Sequence, residues 1–279
     1  MRITNNNGLP QPFVEAVKAG RYSPDPDRIG VTSLIGPPQI RVLKLKHWNE
    51  LEEDVSGRVW ALFGSAVHHI LETGEDDSEV KLSHQGGYPF NLVGVMDLLT
   101  KDKDGKYIIT DYKTTSTWSV LEGIKPDWEK QLNMYAYLCQ VNNKPVKALK
   151  VVCIFRDWSK GKTVSAGYPQ APVQEYTVQM WSTEEQERYV YERMALHFEA
   201  MEGDVPECSM EDKWQDADKY AVKKKGRKRA LRVLESEEEA EVWMDENGGD
   251  YIEYRPSVPR RCKDYCSVVA FCDQHKKEV

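Results

Sequence analysis

Asp97, Asp111 and Lys113 are the residues of this 279-residue chain whose types and spacing best suit chemistry on a phosphate. Asp111 and Lys113 lie two apart in KYIITDYKT (106–114), and Asp97 lies in the apolar run FNLVGVMDLLT (90–100). Both runs read as strands, with KDKDG (101–105) as the turn between them. Side chains alternate along a strand, so Tyr107, Ile109, Asp111 and Lys113 are expected on one face, and Val93, Val95, Asp97 and Leu99 on one face of the other strand. A turn centred on Asp104 sets Asp97 opposite Asp111, with the ammonium one step away. Buried paired carboxylates repel unless a cation lies between them, and carboxylate oxygens suit a hard ion such as Mg²⁺ or Mn²⁺. Such an ion clamps a phosphate oxygen and makes hydroxide from bound water, while the ammonium orients the water or offsets phosphoryl charge. The plainer reading is an edge hairpin with a solvated Asp and Lys. The second, in-register acid weighs against it.

Other segments must bring partners to that hairpin. Residues 55–73 form the clearest predicted helix, with Trp60, Phe63, Val67, Ile70 and Leu71 as one apolar, core-facing stripe and Gly74 as the stop. Gly64, His68 and Glu72 recur every four residues beside that stripe. Gly64 lets a neighbour approach the helix backbone closely. His68 is a candidate third metal ligand, although a histidine in such a place is more often a hydrogen-bonded structural residue, as His69 is expected to be. A second helix runs from Pro126 to about Gln140, with Trp128, Leu132, Tyr135 and Cys139 on its buried side. Its Gln131 and Tyr135, four apart, offer an amide and a hydroxyl to a phosphate or a base. ALKVVCIF (148–155) reads as a central strand. The resulting α-β-β-β-α-β order is an α/β or α+β core with a mixed sheet.

Four strings, GSAVHHILE (64–72), GVMDLL (94–99), DYKTT (111–115) and QLNMYAY (131–137), resemble in order and spacing the PD-(D/E)xK nuclease superfamily in its RecB-like branch, which includes the exonucleases of CRISPR adaptation. The likeness covers residues 55–155 well and the tail more loosely. It implies a restriction-endonuclease-like core whose mixed sheet is flanked by helices. It also implies His68, Asp97 and Asp111 as ligands of Mg²⁺ or Mn²⁺, with the backbone carbonyl of Tyr112 as a further ligand. Lys113 is then the catalytic lysine, and Gln131 and Tyr135 lie beside DNA.

Of six cysteines, Cys139 and Cys153 read as small core hydrophobes. Cys208, Cys262, Cys266 and Cys272 remain, and four thiolates suit zinc, an iron–sulfur cluster, or no metal at all. The resemblance implies a [4Fe-4S] cluster, with zinc as runner-up, in a C-terminal cysteine-bound lobe. The first spacing here is x3 where x2 is usual, and the fourth cysteine follows the core instead of preceding it. Either metal would staple the tail to the segment after the long helix. YAVKKKGRKRALRVL (220–234) reads as a hairpin around Gly226, with Lys223, Lys224, Lys225, Arg227, Lys228 and Arg229 at its tip as a DNA-binding surface. Trp118, Trp128 and Trp214 are candidate base-stacking platforms for which core packing is the plainer reading.

Composition bounds these readings. A 40% hydrophobic fraction suffices for a core and excludes a disordered chain. No run approaches the roughly 18 apolar residues of a membrane helix, and the start lacks the apolar run of a signal peptide. Sparse cysteine makes a reducing, cytoplasmic setting the default. A net charge of −7 argues against a nucleic-acid coat protein but not against a local basic site. The expected layout is an arm and helix over 1–54, irregular through its first 30 residues, a nuclease core over 55–205 and a C-terminal lobe over 206–279. Ser182-x-x-Glu185 predicts a capping box for the long helix. The expected function is a Mg/Mn-dependent DNA exonuclease or end-processing nuclease of recombination, repair or phage DNA metabolism, acting on ends or single strands. The alternatives are a non-catalytic nucleic-acid-binding module that keeps the fold, and an endonuclease, for which no target-recognition segment is visible.

Overall fold

The loop between the two acid-bearing strands is held as its residues suggest. Asp102 Oδ1 accepts the backbone N–H groups of Asp104 and Lys106 at 2.9 and 2.8 Å, and Gly105 takes the φ of +79° that closes the turn. Lys147 pairs with the other Asp102 oxygen. The computed structural model describes residues 1–20, 23–72 and 78–278, which form two compact units, Met1–Pro206 and Glu207–Val279.

The first unit runs β1 (Arg2–Thr4), α1 (Gln11–Ala19), β2 (Arg28–Gly30), α2 (Val31–Leu34), α3 (Pro38–His47), β3 (Glu52–Asp54), α4 (Val59–Glu72), β4 (Ser78–His84), β5 (Asn91–Lys101), β6 (Tyr107–Thr115), α5 (Pro126–Val141), β7 (Val146–Phe155), β8 (Val173–Val178) and α6 (Thr183–Glu202). The main sheet is ordered β2-β5-β6-β7-β8, with β4 on the other edge of β5. The β2–β5 and β6–β7 pairs are parallel and the rest antiparallel, so the sheet is mixed as expected. Its core joins Leu92, Met96 and Leu99 of β5, Ile109 of β6 and Leu149 of β7 to Leu132 and Leu138 of α5. The predicted capping box opens α6, which adds Val190 and Met194 to the same core.

The register of β5 reveals a fork. β6 pairs with it only from Leu98↔Thr110 to Lys101↔Tyr107, and β2 takes over the same edge from Arg28↔Asn91 to Gly30↔Val93. Between those segments β5 and β6 part. The burial of β5 changes phase there too: Leu92, Gly94 and Met96 are buried, and the next buried position is Leu99. The β4 ladder omits the step between Leu98 and Met96, where Glu79 has a φ of +50°. This bulge-like irregularity re-aims the strand. Val93, Val95, Asp97 and Leu99 therefore do not share the face expected of them: Val95 is 45% exposed and Leu99 2%. One further step of the observed register sets Asp97 opposite Asp111, at the mouth of the fork.

Two other expectations change. The first 30 residues are not an irregular arm, because α1 buries Val14 and Val17 against Val55 and two short strands flank it. Helix α4 is turned the opposite way. Trp60, Phe63, Ile70 and Leu71 are exposed, while a Cβ on Gly64 would stand 3.3 Å from Thr114 Oγ1 of β6. The helix approaches the sheet where its smallest residue leaves room, and the stripe carrying His68 faces inward. The predicted stop at Gly74 and the side chain of Glu72 lie outside the described residues.

The second unit comprises β9 (Lys219–Lys223), β10 (Arg232–Leu234), α7 (Glu237–Asn247), β11 (Tyr251–Arg255), α8 (Arg260–Asp264) and α9 (Asp273–Glu278). The strands form an antiparallel sheet ordered β10-β9-β11, with Ala221, Val222 and Ala240 buried. The predicted hairpin is β9–β10, and Gly226 has a φ of +79° in its turn. Among the described residues no helix is long and apolar enough to cross a membrane.

Candidate active site

Strand β6 is paired with β7 from end to end and holds Asp111 nearly sealed from solvent. Lys113 Nζ lies 2.7 Å from Asp111 Oδ2 and donates to Gln131 Oε1 at 3.0 Å. Gln131 Nε2 in turn donates to Tyr135 Oη at 2.9 Å and to Asp111 Oδ1 at 3.5 Å. One polar chain thus links α5 to β6. Across the fork, Asp97 Oδ2 accepts the Tyr112 backbone N–H at 2.8 Å, and Asp97 Oδ1 lies 3.2 Å from His68 Nδ1. His68 Nε2 reaches the Tyr112 carbonyl oxygen at 2.9 Å.

Charge and burial oppose each other here. Burial raises the pKa of Asp111, the Lys113 ammonium opposes the rise, and the nearby charge of Asp97 adds to it. The hydrogen bond with Asp97 raises the pKa of His68 against the effect of burial. A carbonyl oxygen only accepts, so His68 Nε2 carries a proton, and the carboxylate beside Nδ1 favours a second one. The ring bridges Asp97 and the β6 backbone. Burial pushes the Tyr135 phenol well above its ordinary range, so it stays protonated.

This arrangement corrects the metal expectation. His68, Asp97, Asp111 and the Tyr112 carbonyl come together, but among the described residues no group of three or more His, Cys, Asp or Glu side chains is placed to hold a metal ion. Their donor atoms are engaged with one another. Both ring nitrogens of His68 face acceptors, and Asp111 Oδ2 faces an ammonium. A ring N–H, a backbone N–H and a lysine ammonium stand where Mg²⁺ or Mn²⁺ needs open lone pairs, so the residues as arranged do not fit the ion.

The same finding removes the [4Fe-4S] cluster and the zinc alternative. None of Cys208, Cys262, Cys266 and Cys272 forms a disulfide. The Cys208 thiol is pushed up to about 12, first by burial, then by Asp212 and the other three thiols. The tail is fastened instead by Gln274, whose Oε1 accepts the Cys208 N–H at 2.8 Å and whose Nε2 donates to the Cys208 carbonyl at 3.0 Å. A Lys213–Glu278 ion pair at 2.9 Å adds a second link. Cys139 and Cys153 are buried in the core of the first unit.

In the second unit, Lys224, Lys225, Arg227, Lys228 and Arg229 are exposed at the hairpin tip. Lys223 does not join them, because its ammonium pairs with Glu253 of β11 at 2.9 Å. The acid that the basic stretch lacks comes from a neighbouring strand.

Several contributors have no mark in the sequence. Thr114 lies against Gly64, Arg156 covers the Trp60 ring at 4.4 Å, and Asp157 accepts the Thr117 N–H at 2.7 Å. Each depends on where β6 and β7 end in register, which no local pattern encodes.

The sequence model of the PD-(D/E)XK nuclease superfamily matches residues 35–273. Among solved structures, the crystal structure of SSO0001 is similar at 19% sequence identity and a TM-score of 0.46, covering 66% of this chain and 82% of that one. No curated protein matches the chain.

Proposed function

The chain belongs to the PD-(D/E)XK nuclease superfamily, and from that premise we propose that it hydrolyses phosphodiester bonds of DNA, starting from ends. The observation that carries this reading is the Lys113 ammonium, held between the Asp111 carboxylate and the Gln131 amide at 2.7 and 3.0 Å. In the reaction a water oxygen bonds to phosphorus as the phosphorus–oxygen ester bond breaks. Negative charge builds on the non-bridging oxygens, and an ammonium already fixed by two partners offsets it without reorganising. Asp97, more exposed than Asp111, is the carboxylate that orients the water and takes its proton. The leaving oxygen is protonated from solvent. His68 keeps Asp97 turned toward β6 and serves as a positioning residue. The RecB-like branch is the finer assignment, on the strength of the four motif strings, with 55–205 as the catalytic segment. The exposed cations of the β9–β10 tip supply sequence-independent affinity for phosphates.

Linear and covalently closed circular DNA of one sequence test the reading. Wild-type protein degrades the linear form and spares the circle. Asp111→Asn and Lys113→Gln, shown folded by their melting curves, lose about 10²-fold or more of the rate. Cleavage that survives in both variants removes the assignment of these residues. Attack on the circle replaces an exonuclease with an endonuclease.

A further inference from the structure

The surface beyond the end of β6 carries apolar and cationic groups that the hydrolytic residues do not use. Trp60 on α4 is 64% exposed and Trp118, in the turn Thr117–Val120, is 66% exposed. A tryptophan so open contributes little to folding, and two of them near one site call for an external partner. Both are held in place. The Arg156 guanidinium lies over the Trp60 ring at 4.4 Å. The Trp118 turn is anchored by Asp157, which accepts the Thr117 N–H at 2.7 Å. The Arg156 N–H donates to the Thr115 carbonyl at 2.8 Å, so Arg156 and Trp118 both lie just past the same end of the β6–β7 pair.

That end is continuous with the proposed site. Lys113 is the third residue from the end of β6, and α4 meets β6 at Gly64, one turn after Trp60. The loop that Arg156 opens also carries exposed Lys160 and Lys162. Rings interleaved with cations, set beside an ammonium aimed at phosphate, match an unpaired polynucleotide strand: bases stack on the rings and phosphates meet the cations. A duplex offers no such ring faces, because its bases are stacked on each other.

We propose that Trp60, with Arg156 over it, and Trp118 form a stacking platform for the unpaired bases of a single-stranded polynucleotide, leading that strand to Lys113. This deepens the proposed function and rests on it. The test measures binding of the full-length protein to a fluorescent phosphorothioate oligothymidine, which slows cleavage, and to a blunt duplex of equal length. Trp60→Ala and Trp118→Ala are each expected to weaken single-strand binding about tenfold and leave the duplex unchanged, with Trp→Phe restoring most of the loss. Wild-type cleavage of linear DNA is followed in parallel. If wild type cleaves while the alanine variants bind the single strand normally, the platform is overturned and the hydrolase stands; the tryptophans then serve a protein partner. Equal weakening on both probes also overturns it, since the contacts would then be to backbone. If wild type neither binds nor cleaves any nucleic acid, both readings fall.

Discussion

The Tyr112 backbone N–H donates to Asp97 Oδ2 at 2.8 Å, so a side chain takes over as ladder partner where β5 and β6 part. Asp97→Ala leaves that N–H without its acceptor and is expected to cost about 1–3 kcal/mol. Asp97→Asn keeps an acceptor oxygen and costs less. Urea unfolding of the two variants reads the difference, and equal losses would place the stabilisation in the His68 contact alone.

Gly94 lies under α5 with no room for a methyl group. A Cβ there would stand 2.6 Å from Leu138 Cδ1 and 3.0 Å from Tyr135 Cδ1, and Leu138 is fully buried. Gly94→Ala should destabilise by about 1–3 kcal/mol through overpacking. It should also lower any cleavage rate, because Tyr135 anchors Gln131 and Gln131 anchors Lys113. A melting temperature equal to wild type would show that α5 is free to lift.

His197 is buried in α6, donates through Nε2 to the Leu34 carbonyl at 3.1 Å, and has no partner for Nδ1. Burial lowers its pKa from 6.5 to about 4. Between those values the unfolded chain binds the extra proton and the folded chain does not, so stability falls as pH drops from 6.5 toward 4. The full linkage is about 3 kcal/mol. His197→Gln keeps a donor and removes the titration. Its unfolding free energy should therefore depend less steeply on pH in that window, and identical slopes would contradict the assignment.

The five exposed cations of the β9–β10 tip should register in salt dependence. If each meets a phosphate, changing Lys224, Lys225, Arg227, Lys228 and Arg229 to Gln reduces the slope of log affinity against log salt by about 3–5. Lys223→Gln should instead cost stability and leave the slope nearly unchanged, since Lys223 already pairs with Glu253. Titrations at several salt concentrations separate the two effects.

The elements that position the acids were legible because local chemistry specifies them. Turn residues at KDKDG set the hairpin register, Pro126 opens α5 and Ser182 caps α6. The orientation of α4 was not, because an apolar stripe at helical spacing reads as core wherever the outward side has no assigned partner. Gly64 meets Thr114 there, while Trp60, Phe63, Ile70 and Leu71 of the stripe stay exposed. Helix α1 carries no clear sequence signal, because QPFVEAVKA is short and sits among Pro, Asn and Gly. The motif spacing brought Asp97, Asp111, Lys113 and His68 together, yet it carried no information on which atoms face which. Both the metal and the cysteine expectations failed at that level of detail, where proton positions and burial decide.

The two acids stand on supports of unequal stiffness. Asp111 sits in a strand laced to β7 along its full length, while Asp97 sits where β5 has left β6 and is tied back to that strand by its own side chain. The gap between the carboxylates is accordingly set by where the two strands part. Substitutions at the crotch of the division, at Leu98 and Thr110, stand one residue from each acid and are expected to alter the width of the reaction centre while leaving both carboxylates in the chain.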